Sequence, residues 1–167
     1  GLPIGAVGGR ADIMKLFNSM AMGDKKGIMS GGTFSGNPLT MAAGVAQTAF
    51  LDENRVELYP RLNLMGQRLA GTINQYAREK GMGVQVLNAG SMFQIYFHDG
   101  EILSVRDTGG SRSQAETDFY LHLLDMGVLI PGTRRSFISH VHTPELVDEA
   151  SEIIKNSLDL VREDDLF

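Results

Sequence analysis

The chain has 167 residues, of which 43% are hydrophobic and 21% are charged. This length predicts one domain or slightly more, and the apolar share is enough for a packed core, which argues against wholesale disorder. The formal net charge of -5 argues against a nucleic acid partner, because phosphate backbones are bound by basic patches. No apolar run approaches the roughly 18 residues of a membrane span. The absence of cysteine excludes disulfides and thiolate sites and fits a cytoplasmic enzyme.

The first part of the chain predicts a short buried strand, two helices and a glycine-rich loop. The strand is expected over residues 4–7 and the first helix over residues 11–17. Asn37 and Pro38 predict the start of the second helix, because asparagine caps helix N-termini and proline is favoured at the first helical position. These elements do not close on themselves, so we expect residues 1–53 to be the end of another domain and to expose apolar surface.

The second part, residues 54–167, predicts a compact α+β domain with helices packed on a small antiparallel sheet. Helices are expected where apolar residues recur at steps of three and four, and strands where they alternate. The predicted elements in chain order are a helix from about residue 57 to 80, strands over residues 84–87 and 92–97, a helix from about residue 114 to 126, short strands over residues 128–130 and 136–139, and a helix from residue 144.

The chain opens inside an apolar, glycine-punctuated stretch, residues 1–10, and has no initiator methionine. This start has neither the basic nor the apolar region of a signal peptide. It predicts a fragment of a longer protein. A trimmed tag with a natural start nearby is the alternative.

The glycine-rich loop over residues 27–36 is the first candidate for chemistry. Its glycines allow the backbone to approach a ligand closely, and Thr33 and Ser35 add hydroxyl donors. The helix start at Asn37 is expected to offer unpaired N–H groups, so the whole segment suits a phosphate. The loop is not a Walker A motif, because no Gly-Lys-Ser/Thr follows. On composition alone, a plain connecting loop explains the residues equally well.

Two further pairs of residues are candidates for binding. Arg134 and Arg135 lie between two predicted strands, where a guanidinium in a pocket would bind a carboxylate through two hydrogen bonds. A solvated surface pair is the alternative, and the residues alone favour it. His140 and His142 would share one face of a strand. Zinc needs three or four ligands and no other ligand is suitably spaced, so no metal site is predicted.

Two glycine motifs resemble those of the class III, fold-type I aminotransferases that depend on pyridoxal 5'-phosphate. Residues 1–10 look like the segment that follows the family's cofactor lysine, and residues 31–39, Gly-Gly-Thr-Phe-Ser-Gly-Asn-Pro-Leu, are similar to its phosphate loop. The resemblance is nearest to the glutamate-1-semialdehyde 2,1-aminomutases and the β-amino-acid aminotransferases. It continues through residues 90–93, 127–129 and 142–143 and covers essentially the whole chain.

The resemblance implies an α/β fold of fold-type I, with the end of the large cofactor-binding domain followed by the small C-terminal domain. Gly32 and Thr33 match the residues that bind the cofactor phosphate in the neighbouring subunit's site, which implies a homodimer with a shared site. Arg135, or less favourably Arg134, matches the arginine that holds the substrate carboxylate in members acting on β-amino acids. Aminomutases generally lack this arginine, so it favours amino transfer between an amino acid, the β-amino acids included, and a keto acid.

The family's Schiff-base lysine matches a position upstream of Gly1, and none of the lysines of this chain lies in that motif. Transamination needs this lysine as the covalent anchor and as the proton-transferring base. No catalytic residue is therefore assigned, and the chain alone is expected to be inactive. Two alternatives remain open, an aminomutase that moves an amino group within one molecule and a free-standing, non-catalytic domain that acts in binding or assembly.

Overall fold

A computed structural model describes residues 2–17, 31–108, 113–130 and 135–164. The chain divides into two compact units, Gly1–Arg55 and Val56–Phe167. This boundary lies two residues after the one expected from the sequence.

The first unit contains two helices where helices were predicted. Helix α1, Ala11–Met14, continues into one turn of 3-10 helix, Lys15–Phe17, and helix α2 extends over Pro38–Glu53. The side-chain oxygen of Asn37 accepts hydrogen bonds from the first free backbone N–H groups of α2, as expected of an N-cap. The predicted start of this helix is confirmed.

The buried strand predicted over residues 4–7 is wrong. These residues are irregular, and Ile4 and Val7 are 47% and 75% exposed. A strand is stable only with a neighbour to bond, and the described residues of this unit include no other strand. The apolar exposure expected of this part is present, and the large side chains that carry it are Leu2, Ile4, Val7, Ile13, Phe17, Phe34, Leu39, Met41 and Val45.

The second unit combines three helices with a small sheet, which confirms the predicted α+β arrangement. The sheet has three antiparallel strands in the order β1-β2-β3. The helices and strands of this unit in chain order are α3 over Arg55–Lys80, β1 over Val84–Ala89, β2 over Met92–Phe97, α4 over Gln114–Asp125, β3 over Ser136–Phe137 and α5 over Pro144–Glu163.

The core lies on one face of the sheet. Strands β1 and β2 pair in a register that sets Val86 opposite Ile95, and both side chains are buried. The apolar stripes predicted for α3 and α5 contribute to the core, since Ile73, Ile154 and Leu158 are completely buried. Since cross-strand partners share a face, the pairing of strands decides which side chains enter the core.

The short strand predicted over residues 128–130 is also wrong, because the end of α4 uses the backbone of this segment. Gly127 has a φ of +88°, and the N–H of Val128 donates to the carbonyl of Leu123 at 2.8 Å. This is the hydrogen bond of a glycine C-cap. Leu129 is left 77% exposed. Of the strand predicted over residues 136–139, only Ser136–Phe137 pairs.

A polar contact joins the C-terminal parts of α3 and α5. The Tyr76 hydroxyl donates to Oδ2 of Asp159 at 2.5 Å, and Nζ of Lys155 lies 5.5 Å from the centre of the Tyr76 ring. Burial, followed by the hydrogen bond to Asp159, raises the pKa of Tyr76 to about 12. The folded state therefore favours the neutral phenol.

We expect the stability of this unit to fall as the pH rises from about 10 to about 12. The pKa of Tyr76 is higher in the folded chain than the ordinary value of 10.0, so its contribution is complete below pH 10 and is lost as the pH passes the folded pKa. Thermal melts of the chain and of Tyr76→Phe measure this loss, and the variant should show the flatter pH profile. Tyr59→Phe, at a tyrosine 47% exposed, is the control and should follow the wild type. Parallel profiles for wild type and Tyr76→Phe would contradict the assignment.

None of the helices in the described part of the chain combines the length and the apolar character needed to cross a membrane.

Candidate functional site

The glycine-rich loop before α2 is held in a compact turn by its own residues. The N–H of Ser35 donates to the carbonyl of Gly32 at 3.0 Å, and the N–H of Gly32 donates to the Ser35 hydroxyl oxygen at 2.8 Å. Gly36 follows with a φ of +73°, a left-handed conformation that favours glycine. The shape of the loop is therefore set by Gly32, Ser35 and Gly36.

The donors that this turn leaves free suit a phosphate. Thr33 is exposed, and its hydroxyl bonds to none of the residues that the structure describes. Since Ser35 accepts from Gly32, its own hydroxyl proton is still available to donate. A Cβ atom built on Gly31 or Gly32 would meet nothing within 4 Å, so the backbone here is open to a ligand.

The N-terminus of α2 offers fewer free N–H donors than the sequence predicted. Oδ1 of Asn37 accepts from the N–H groups of Leu39 and Thr40 at 3.1 and 3.2 Å. The expectation of unpaired N–H groups at this helix start is therefore wrong for these two donors. The physical reason is that the asparagine that starts the helix also occupies its first free donors. The donors for an anion lie in the loop that precedes Asn37.

Arg135 lies immediately before β3 in the second unit and is exposed. No described carboxylate is within ion-pair distance of its guanidinium. Its side chain lines a cavity of about 610 Å³ and a groove of about 170 Å³ that also involves Gln94 and Tyr96. A guanidinium that has no ion-pair partner among the described residues and lies beside two concave surfaces can bind a carboxylate. Arg134 lies outside the described residues.

His140 and His142 lie in the turn before α5, so the prediction of a shared strand face is wrong. Nη2 of Arg61 is 2.8 Å from both Nδ1 and the carbonyl oxygen of His140, and Nδ1 of His142 accepts from the N–H of Ser139 at 2.9 Å. The contacts of Arg61 tie α3 to the turn. In the part of the chain that the structure describes, no cluster of three or more His, Cys, Asp or Glu could hold a metal ion.

Sequence reasoning missed Ser136, which lines the larger cavity together with Arg135 and His142. The Ser136 hydroxyl oxygen is buried and has no hydrogen-bond partner among the residues that the structure describes. Its place follows from the β2–β3 register, in which Ser136 lies opposite the buried Phe93. No local sequence signal could reveal that pairing.

No protein-family model matches the chain, but sequence comparison finds clear relatives. Glutamate-1-semialdehyde 2,1-aminomutase of Clostridium kluyveri is 34% identical over 152 residues, which are 89% of this chain and 35% of that enzyme. The enzyme of the same name from Haloquadratum walsbyi is 32% identical over 186 residues, with 95% of this chain and 40% of the enzyme covered. The chain thus spans little more than a third of the length of the curated relatives it matches.

Solved structures share the fold. An omega-transaminase from Sphaerobacter thermophilus has a TM-score of 0.71 at 26% identity, covering 93% of this chain and 35% of the transaminase. A β-phenylalanine aminotransferase from Variovorax paradoxus has a TM-score of 0.69 at 25% identity, covering 91% and 34%. A transaminase with pyridoxal phosphate bound has a TM-score of 0.74 at 24% identity, covering 98% and 36%. The predicted fold is therefore confirmed.

Proposed function

Since the resemblance to the class III, fold-type I pyridoxal-phosphate enzymes is confirmed in sequence and in fold, we propose that this chain is the C-terminal part of such an enzyme. The proposed reaction is transfer of an amino group between an amino acid and a separate keto acid. Arg135 favours transfer over isomerisation. It is an exposed guanidinium with no described carboxylate partner, at the position where aminomutases generally lack arginine. A cytoplasmic homodimer with a shared cofactor site is part of this proposal.

Pyridoxal phosphate would act as the electron sink for the bonds at the amino-bearing carbon. The role proposed for this chain is to hold the phosphate of that cofactor. Thr33 would donate through its hydroxyl, while Gly32 would leave room for the phosphate beside the backbone. The donor character of the loop supports this fit, as does the bound pyridoxal phosphate of one transaminase of the same fold.

The carboxylate of the amino acid would be held by Arg135. We expect Arg135→Ala in the full-length enzyme to raise KM for carboxylate substrates by about tenfold or more, because a hydrogen-bonded charge is lost. Unfolding should change little, since the side chain is exposed. Steady-state kinetics and thermal melts measure the two effects. Arg134→Ala is the matched neighbour. If that variant alone raises KM, the assignment to Arg135 is wrong.

The alternative function, an aminomutase, is supported by the curated relatives at 32–34% identity, which are glutamate-1-semialdehyde 2,1-aminomutases. The two reactions differ in where the amino group goes. The full-length enzyme, loaded with pyridoxal phosphate, is incubated with a ¹⁵N-labelled amino acid and an unlabelled keto acid. Label in the amino acid formed from the keto acid supports the transferase. Isomerisation of glutamate-1-semialdehyde without transfer to the keto acid would overturn it.

A further inference from the structure

Strand β1 forms one edge of the three-stranded sheet. The N–H of His98 donates to the carbonyl of Gly83 at 2.8 Å, which fixes the side of β1 that faces β2. Because hydrogen-bonded and non-hydrogen-bonded pairs alternate along an antiparallel ladder, the odd-numbered residues of β1 are the ones that bond to β2. The backbone N–H and C=O groups of Val84, Val86 and Asn88 therefore face the open edge.

An edge strand can pair with another chain, since its outward backbone groups are a template for a further strand. The sequence of β1, Val-Gln-Val-Leu-Asn-Ala, contains neither a charged residue nor proline, and these are the residues that commonly protect sheet edges. At the opposite edge of the sheet, β3 is only two residues long, and short edge strands pair poorly. The longer edge, β1, has neither form of protection within its own sequence.

The side chain of Asn74, in α3, binds the centre of this edge. Its Nδ2 donates to the carbonyl of Val86 at 2.8 Å, and its Oδ1 accepts from the N–H of Val86 at 2.6 Å. One donor and one acceptor directed at the same residue is the pattern that a neighbouring antiparallel strand presents. The amide of Asn74 therefore occupies the two groups through which Val86 would bind a further strand.

The space beside this contact is open. Asn74, Val84, Gln85 and Leu87 are among the residues that line a groove of about 330 Å³, and Leu87 is 41% exposed. A chain that entered this groove would meet the backbone of β1 next to Asn74. The access of such a chain to Val86 is therefore decided by the Asn74 side chain.

We propose that Asn74 takes the place of a neighbouring strand and prevents β1 from pairing with β1 of a second copy of this chain. Two copies of β1 can pair antiparallel about Val86, so that each Val86 N–H donates to the Val86 carbonyl of the other copy. This pairing is symmetric and uses the same two groups that Asn74 occupies, so the two arrangements exclude each other. The inference rests on residues of the second unit and is independent of the proposed function.

Removal of the Asn74 amide tests the proposal. We expect Asn74→Ala in the 167-residue chain to dimerise at a concentration about tenfold or more below that of the wild type, because both Val86 groups are released. Sedimentation velocity over a range of concentrations measures the dimerisation. The matched control is Gln75→Ala, at an exposed residue of the same helix whose side chain donates to Glu79, and it should associate like the wild type. Equal association of Asn74→Ala and wild type would overturn the proposal.

Hydrogen exchange separates pairing from simple loosening of the fold. In dilute Asn74→Ala, the Val86 amide should exchange about tenfold or more faster than in the wild type, since its acceptor is gone. At concentrations where the variant dimerises, protection of this amide should return, because the second copy supplies a carbonyl. A purely structural asparagine would leave the exchange fast at every concentration. Dimers in which the Val86 amide stays unprotected pair through another surface, and they would overturn the proposal.

A labelled peptide with the sequence of residues 83–89 probes the edge directly. Fluorescence anisotropy should show that it binds Asn74→Ala about tenfold or more tightly than the wild type. The same peptide methylated on the nitrogen of Val86 lacks the central donor and should bind the variant about tenfold or more weakly. Equal binding of the two peptides, or equal binding of the unmodified peptide to variant and wild type, would overturn the proposal.

Discussion

Replacing Gly66 with alanine should lower the free energy of unfolding of the second unit by about 1–3 kcal/mol. This sign is opposite to helix propensity, which favours alanine over glycine by about 1 kcal/mol inside a helix. Gly66 lies in α3, where a Cβ atom would overlap the carbonyl oxygen of Gly90 in the turn between β1 and β2. Because the obstructing atom belongs to the backbone, no side-chain rotation can relieve the overlap.

The turn itself has little freedom to move away. Gly90 has a φ of +62°, and its carbonyl accepts from Nδ2 of Asn88 at 3.4 Å. A Cβ atom on Gly90 would lie 2.7 Å from Oδ1 of Asn63. The helix and the hairpin turn therefore approach closely from both sides, and the added methyl group must separate them.

Gly71→Ala is the control for this prediction, because Gly71 lies in the same helix and a Cβ atom there would meet nothing within 4 Å. We expect this variant to be more stable than the wild type by about 0.5–1 kcal/mol. Denaturant unfolding followed by circular dichroism gives both free energies. Equal stabilisation by the two substitutions would show that α3 and the turn separate readily, and it would refute the close approach.

The helices could be predicted because their signals are local. Asn37 before Pro38, Ser113 before α4, and Thr143 before Pro144 each cap the helix that they precede. A cap and the helix it starts are adjacent in the chain, so residue type and spacing are sufficient to recognise them. The role of Gly66 could not be predicted in the same way, since its close neighbour is 24 residues further along the chain.

Strands were harder to predict because an extended segment depends on a partner elsewhere in the chain. Residues 4–7 and 128–130 are apolar enough for strands, but neither segment pairs. Residues 92–97 do pair, on both sides near Phe93, and this pairing positions Ser136. Pattern alone does not distinguish an apolar segment that pairs from one that caps a helix.

The same contrast holds for the candidate site. Gly32 and Thr33 were recognised from a motif of adjacent residues, and the structure places both in an exposed turn. The N–H groups at the helix start are harder to predict, because Asn37 is recognisable as a cap from its residue type and, as the cap, it also occupies two of those N–H groups. Because the cap occupies these donors, the described donors that remain for an anion are those of the preceding loop.

Thr33→Ala in the full-length enzyme should weaken retention of pyridoxal phosphate by about tenfold or more, because a hydrogen bond to a charged group is lost. Cofactor absorbance after dialysis measures the retention. Thr48→Ala is the matched control in α2, where the Thr48 hydroxyl donates to the carbonyl of Gly44 at 2.8 Å and is not free to bind a ligand. Pyridoxal, which has no phosphate, should bind Thr33→Ala and wild type equally. If Thr33→Ala weakens pyridoxal as much as pyridoxal phosphate, Thr33 acts through the fold and not on the phosphate. If both threonine variants retain the cofactor like the wild type, the loop over residues 31–36 is only a connection between helices.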